Sequence, residues 1–305
     1  MLANNNEAII NKLAKNSVKT NKKQYAILFF TIILSAFMLF CVFTIGMTYL
    51  NSSRLQNTRL NGAEYDIVTM NGFTSEQLNT LQQNENIRSV GIESYAGFIQ
   101  STEYDKTVEI GLLWCDEVFW DNLMSPARTK LDGHYPQNKN ELMVTKDILK
   151  TCGNENLSVG DSLILTYENN TGVYTDEFVI SGIWDGYGDT SAGFVSKAFY
   201  DETGYDLKNN GILCIKLNCN YVFPTTIQSI EKSLDFSDRQ IFAPTGYIEN
   251  SFKLLLGICG LALVICLSAY LLIYNILYLS VSGKIRYYGL LQSLGMTKKQ
   301  LVRFI

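Results

Sequence analysis

The chain has 305 residues, of which 47% are apolar and 12% aromatic, so its composition excludes wholesale disorder and allows one or two folded domains. Its net charge of -4 is unevenly distributed: residues 1–50 carry five lysines and one acid, residues 254–305 carry five basic residues and no acid, and the middle sums to -13. Because the basic clusters lie beside apolar runs, we expect no nucleic-acid partner.

Two uncharged apolar runs separate these regions, at residues 24–53 and 254–283. Each run of about 30 residues would be about 45 Å long as a helix, enough to cross a hydrocarbon core of about 30 Å. The first run is too long for the apolar segment of a signal peptide, and no small-residue cleavage site follows it. We therefore predict transmembrane helices over 25–50 and 254–283, and not buried helices of a soluble protein.

Basic residues flank the outer end of each run in the sequence: Lys19, Lys22 and Lys23 precede the first, and Lys284 and Arg286 follow the second. The positive-inside bias places both flanks in the cytoplasm, against membrane lipid headgroups. We expect a multi-pass protein of the cell membrane with a cytoplasmic amphipathic helix at 1–24. Residues 51–253 are then extracytoplasmic, with ends that extend the spans as a stalk.

The middle region has the pattern of an α+β domain. A short strand is predicted at 64–70, and Thr74 with Gln77 forms a capping box that starts a helix ending near Asn86, with Phe73 stapled onto Leu78. A second helix is predicted after Pro224, with Thr225 and Gln228 as its box and Ile227, Ile230 and Leu234 on its inner face. Further strands are predicted at 90–99, 108–114, 141–144, 162–167 and 177–183. The fold class is thus two transmembrane helices flanking an α+β extracytoplasmic domain.

The sequence contains little that could perform catalysis. His134 is the only histidine and lies in a turn-like stretch, and no G-x-x-x-x-G-K-[ST] motif is present. Asp185 and Asp189 have the spacing for a cation but are typical of a solvated turn. We expect no enzyme activity, no cofactor and no metal. The outer cysteines allow free thiols or a bridge, either 214–219 or 115–152.

After the second run, residues 284–305 form a cytoplasmic segment with helical periodicity. A helix from Ile285 to Leu294 would align four apolar side chains on one stripe, and Gly295 would end it in a left-handed conformation. A capping box at Thr297 and Gln300 would then start another helix directed back to the membrane. The stripe consists of Tyr287, Leu290, Leu291 and Leu294.

The order of these parts resembles the FtsX-like, MacB-type permeases of ABC transporters, and local motifs agree. Residues 289–297 (GLLQSLGMT) look like the family's E-I-G-L-L-K-A-L-G-A-T element, although Tyr287 stands where the family often has glutamate. Residues 133–136 followed by 141–144 resemble its G-R-x-P/F…E-x-x-V pattern, and residues 159–165 with 178–183 resemble its G-D-x-I-x-L…F-x-V-x-G-I pair. The family continues into further spans, so we expect that the chain is truncated at its C-terminal end.

The resemblance implies a permease subunit of the mechanotransmission type, present as a homodimer or pseudo-dimer beside a separate ABC ATPase subunit. Such a protein couples ATP hydrolysis to the export or extracytoplasmic handling of a peptide, lipoprotein or drug. The segment that would contact the ATPase comprises Tyr287, Leu290, Leu291, Leu294, Gly295 and Thr297.

Three alternatives remain open from the sequence. The same topology fits a two-span receptor with an extracellular ligand-binding domain, which would continue into a long polar signalling helix after its second span. An enzyme anchored by two spans is disfavoured because a catalytic set is missing. The helix at 285–294 could also rest on lipid without contacting an ATPase.

Overall fold

A computed structural model describes residues 12, 15–16, 19–100, 110–187 and 192–304, with the side chains of 303 and 304 excepted. The chain divides into two compact units, Leu50–Leu254 and the pair Met1–Tyr49 with Leu255–Ile305. Most of the expected cytoplasmic helix at 1–24 lies outside the described residues, as do Val108 and Asp189 of the predicted strand and turn.

The elements of the described part alternate between helix and strand in an irregular order. In chain order they are α1 (Lys22–Asn61), β1 (Ile67–Met70), α2 (Ser75–Gln82), β2 (Ile87–Ile99), β3 (Ile110–Cys115), a π-helical turn (Val118–Leu123), a 3-10 turn (Ser125–Ala127), β4 (Arg128–Gly133), β5 (Glu141–Thr145), α3 (Lys146–Thr151), β6 (Ser162–Asn169), β7 (Gly172–Gly186), β8 (Ala192–Val195), α4 (Lys197–Tyr200), α5 (Leu207–Asn210), β9 (Ile212–Leu217), α6 (Pro224–Lys232), β10 (Ile241–Pro244), α7 (Gly246–Ser282), α8 (Ile285–Ser293) and α9 (Lys298–Phe304).

The helices α1 and α7 are long and apolar enough to cross a membrane, with mean hydropathies of 2.8 and 2.6 in their most apolar stretches. Almost none of either stretch is buried by protein, unlike the core helix of a soluble domain. Where they meet, Gly46 allows close approach, since a Cβ there would lie 2.6 Å from the side chain of Ile258. Gln24 Nε2 also donates a hydrogen bond to the Ile276 carbonyl at 3.0 Å. The predicted pair of membrane-spanning helices is confirmed.

In the described part of the outer unit, ten strands form one mixed sheet. Six of them close into a ring in the order β2–β3–β8–β5–β7–β6, because β6 pairs with both β7 and β2. The ring encloses an apolar core to which every one of its strands contributes, including Leu112, Leu142, Leu163, Phe178 and Val195. The predicted α+β domain is confirmed.

The other end of the sheet is an open layer, β10–β1–β9–β2, with helices on one face. Leu81 of α2 and Ile227 and Ile230 of α6 pack in one cluster with Ile67 and Ile215 of the strands. This face carries the amphipathic stripes that the sequence predicted for both helices. The last turns of α1 and the first turns of α7 are also covered, since Leu50 and Ile248 are buried.

One helix start is right and the other is wrong. Thr74 and Gln77 form the predicted capping box, with the Gln77 amide donating to Thr74 Oγ1 at 3.2 Å, although the helix ends at Gln82. The second helix begins at Pro224, and no side chain caps it. Proline suits the first helical position because its φ is fixed and its missing N–H is not needed there. Thr225 therefore lies inside the helix, and no box forms with Gln228.

Gly133, in the motif at 133–136, has a structural reason to be glycine. Its φ is +89°, and a Cβ there would lie 2.2 Å from the Ser181 carbonyl oxygen. The next two residues separate: His134 is exposed, as expected, whereas Tyr135 turns inward and donates from its hydroxyl to the Cys115 carbonyl at 3.2 Å. The cysteines of the described part are free thiols.

Candidate functional site

The segment after the second span folds into two short helices joined by a tight turn. Helix α8 ends at Ser293, one residue before the predicted end, and Gly295 adopts a φ of +96°. Thr297 and Gln300 form the predicted box: the Thr297 amide donates to Gln300 Oε1 at 3.0 Å, and the Gln300 amide to Thr297 Oγ1 at 3.4 Å. The chain reverses here because glycine tolerates the left-handed conformation and the box satisfies the next helix start.

The predicted apolar stripe divides into an exposed part and a packed part. Tyr287, Leu290 and Leu294 are 46%, 62% and 75% exposed. Leu291 is half-buried and packs around Tyr288 with Val281, Met296 and Leu301. The contacts of Leu291 and Tyr288 hold α8, the turn and α9 together. The three exposed side chains form an unpartnered apolar surface on one side of α8, which we call the α8 stripe.

The charges around the α8 stripe are all basic. Lys19, Lys22 and Lys23 are exposed before the first span, Arg286 is exposed on α8, and Lys284 is half-buried at the start of α8. No acidic residue occurs from 254 to 305. An apolar stripe bordered by cations suits an anionic lipid surface or a protein surface that carries acids.

The outer domain contains a buried ion network that the sequence patterns did not indicate. Lys216 Nζ, on β9, lies 3.2 Å from Asp66 Oδ2 and 3.1 Å from Glu64 Oε1, and the Lys216 and Asp66 side chains are 7% and 2% exposed. The Leu217 amide donates to Asp66 at 2.9 Å, and Arg54 of α1 lies 4.0 Å from Glu64. The network joins the end of α1 to two central strands. A lysine in an otherwise apolar strand was its only sequence signal, because its partner Asp66 lies 150 positions away.

A second buried group of titratable residues lies where β2, β3 and β9 meet. Burial raises the pKa of Glu93 to about 7 and raises the pKa of the Cys115 and Cys214 thiols well above their usual range. Burial likewise raises the pKa of Tyr135. Thiols in this state are protonated at neutral pH and are poor nucleophiles. The group is therefore structural, and no activated nucleophile arises from it.

The surface of the outer domain also carries an open polar cavity of about 430 Å³ beside α2. Its lining includes Asn71, Lys208, Asp235 and Arg239, and Gln240 crosses its floor with a hydrogen bond from Nε2 to Gln77 Oε1 at 2.9 Å. Most ligand sites are apolar concavities with a few polar groups, which this one is not. In the described ranges no group of three or more metal-ligating side chains occurs, and Asp185 is exposed.

No family model matches the chain, and no curated protein matches it. Three solved structures are similar to it. The periplasmic region of MacB from Actinobacillus actinomycetemcomitans shares 12% identity with a TM-score of 0.42, covering 64% of this chain and 95% of that one. The extracellular domain of the noncanonic ABC-type transporter YknZ from Gram-positive bacteria shares 12% identity with a TM-score of 0.38, covering 59% and 98%. A domain of a candidate permease protein from Porphyromonas gingivalis shares 9% identity with a TM-score of 0.36, covering 60% and 89%.

Proposed function

We propose that the chain is the permease subunit of an ABC transporter of the mechanotransmission type. In this proposal a separate ATPase binds the α8 stripe on the cytoplasmic side. Its ATP-driven movement passes through α1 and α7 to the extracytoplasmic domain, which exports or handles a peptide, lipoprotein or drug. The ATPase is separate because the sequence contains no P-loop.

The observation that carries this proposal is the α8 stripe, which has no partner among the described residues although it directly follows a span. Leu290 and Leu294 together expose apolar surface that would be stabilised by about 1.5–3 kcal/mol per side chain on burial. Leu291 meanwhile fixes α8 against α9, so the stripe is presented on a folded support. A preorganised apolar helix face suits binding in a groove of another protein.

Membrane topology gives the proposal its direction of transmission. The basic flanks place the α8 stripe in the cytoplasm, where ATP is available, and the acidic outer domain on the other side. Both spans are uninterrupted helices in their described residues, which permits movement at one end to reach the other. A transporter with two ATPase sites needs two such surfaces, so we propose a homodimer or pseudo-dimer of permease units.

Photo-crosslinking in the native cells tests the partner. A photoreactive amino acid at position 294 should crosslink to a protein that contains a P-loop. Position 292 is the matched control, because two residues rotate the side chain by about 200° around the helix and Gln292 is also exposed. Crosslinks to lipid alone at position 294, or equal crosslinking of the ATPase from both positions, would contradict the proposal.

The second candidate function is a two-span receptor, favoured by the polar cavity beside α2. Its open shape and its pair of cations, Lys208 and Arg239, suit a small polar ligand. The two functions differ in what the α8 stripe contacts: a receptor requires no ATPase there. Position 294 therefore distinguishes them in the same crosslinking experiment.

A further inference from the structure

The loop between β9 and α6, residues 218–223, ends in an exposed phenylalanine beside the start of the second span. We call it the base loop. Phe223 is 61% exposed, yet its ring lies 4.5 Å from the ring of Phe252, centroid to centroid. Phe252 is two residues before Leu254, where the uncharged apolar run begins, which is a rise of about 3 Å along a helix. The exposed ring is therefore next to the level at which α7 becomes apolar.

The backbone holds Phe223 in this place. Val222 is buried in the cluster beneath α6, and Pro224 fixes the first helical position. Phe223 lies between these two anchors in an extended conformation, with φ of -65° and ψ of 140°. Its outward direction is thus built into the fold of the loop, and burial in the domain core is not open to it.

The surroundings of Phe223 are free of charge in the sequence, although the domain is strongly acidic. Residues 217–230 contain no Asp, Glu, Lys or Arg. The nearest charged residues at the outer ends of the two runs are basic, Arg54 after the first and Lys253 before the second. A neutral loop can approach lipid headgroups without desolvating an ion, and the two cations suit phosphate groups at the same level.

We propose that Phe223, stacked on Phe252, inserts into the outer boundary between headgroups and acyl chains and anchors the base loop to the bilayer. Aromatic rings favour this depth of a membrane, and the site continues the lipid-facing surface of α7 outward. The proposal rests on the topology stated under Proposed function, with residues 51–253 outside. It goes beyond that function because it assigns a lipid-binding surface to the extracytoplasmic domain itself.

The test uses the full chain in lipid nanodiscs, with Phe223→Trp compared with Ile164→Trp. Ile164, on β6, is 68% exposed and so matches Phe223 in accessibility. The native tryptophans, Trp114, Trp120 and Trp184, are buried in the outer domain, and the spectrum of the unmodified chain is subtracted. The indole at position 223 should emit at shorter wavelength than the one at 164. Lipids spin-labelled near the headgroup should quench it, and aqueous iodide should quench it less than the indole at 164.

Each other result overturns the proposal. Quenching of the indole at position 223 by iodide but not by lipid would show that the loop faces water. Protection from both quenchers would show a protein contact, such as a second copy of the chain. The proposed function fails separately, because reversed topology or a missing ATPase is detected by labelling and crosslinking and not by this quenching.

Discussion

Lys216 is a buried lysine whose ammonium group lies between two carboxylates, at a point where three segments of the outer domain meet. Removal of water raises the pKa of Asp66, whereas the charge of Lys216 and the Leu217 amide lower it. Such pairs contribute little net stability when intact, but an unpaired charge left behind is costly. The network therefore makes the junction of α1 with the sheet sensitive to the loss of one partner.

Lys216→Met should lower the free energy of unfolding of the outer domain by about 3–5 kcal/mol at pH 8, because Asp66 is left buried without its cation. The loss should be smaller at pH 5, since the raised pKa of Asp66 lets it bind a proton in the folded state. Thermal unfolding followed by tryptophan fluorescence measures it, because the three tryptophans are buried in this domain. Lys139→Met is the control: its pair with Glu202 is exposed, and its loss should cost less than about 1 kcal/mol. Equal destabilisation by both variants would contradict this account.

Glu93 gives the outer domain a second dependence on pH. Its pKa is about 7 in the folded protein and 4.5 ordinarily, so the folded state binds the extra proton between these values. Stability contributed by that proton is present at low pH and is lost as pH rises from about 4.5 to about 7. Glu93→Gln should therefore stabilise the domain by up to about 3 kcal/mol at pH 8 and by less than about 1 kcal/mol at pH 5. Glu177→Gln, an exposed glutamine substitution on β7, should change neither value. A Glu93→Gln gain independent of pH would rule out burial of the Glu93 carboxylate as its cause.

At the scale of elements, the outer unit depends on residues that the sequence assigned to the stalk. Leu50 and Ile248 are buried, and β10 ends at Pro244 and pairs with β1. A fragment of residues 50–254 should consequently show a cooperative thermal transition on its own. A shorter fragment, 61–243, should melt at a clearly lower temperature because it loses these contacts. Equal melting temperatures would mean that the flanking turns contribute nothing to the domain.

The sequence predicted elements wherever a local pattern decides them, and missed what depends on distant pairing. Thr74 with Gln77, and Thr297 with Gln300, satisfy their own backbone groups three residues away, so both boxes form. Strand β9 was not predicted, since its apolar run ILCIKL fits a strand or a buried helix equally well. The closed ring follows from the pairing of β2 with β6, which no short-range signal specifies. The division of the stripe between Leu290 and Leu291 also required the fold, because helical spacing alone places both on one side.

At the scale of the whole molecule, the charge distribution predicts a fixed orientation in the membrane. In a cysteine-free background, Asn138→Cys should react with a membrane-impermeant thiol reagent in intact cells, and Lys298→Cys should react only after the membrane is opened. Both positions are exposed, so access to solvent within the protein is matched. Labelling of position 298 but not of 138 in intact cells would reverse the topology.

The central claim is that the α8 stripe transmits the work of an ATPase, and coupled ATP hydrolysis in the reconstituted permease–ATPase complex tests it most directly. Leu294→Glu places a charge in the proposed apolar contact and should abolish the coupled activity. Gln292→Glu, which adds the same charge on the opposite side of α8, should leave it unchanged. Both variants should keep the tryptophan-detected melting of the outer domain. A Leu294→Glu complex that couples hydrolysis to transport at the normal rate would contradict the account.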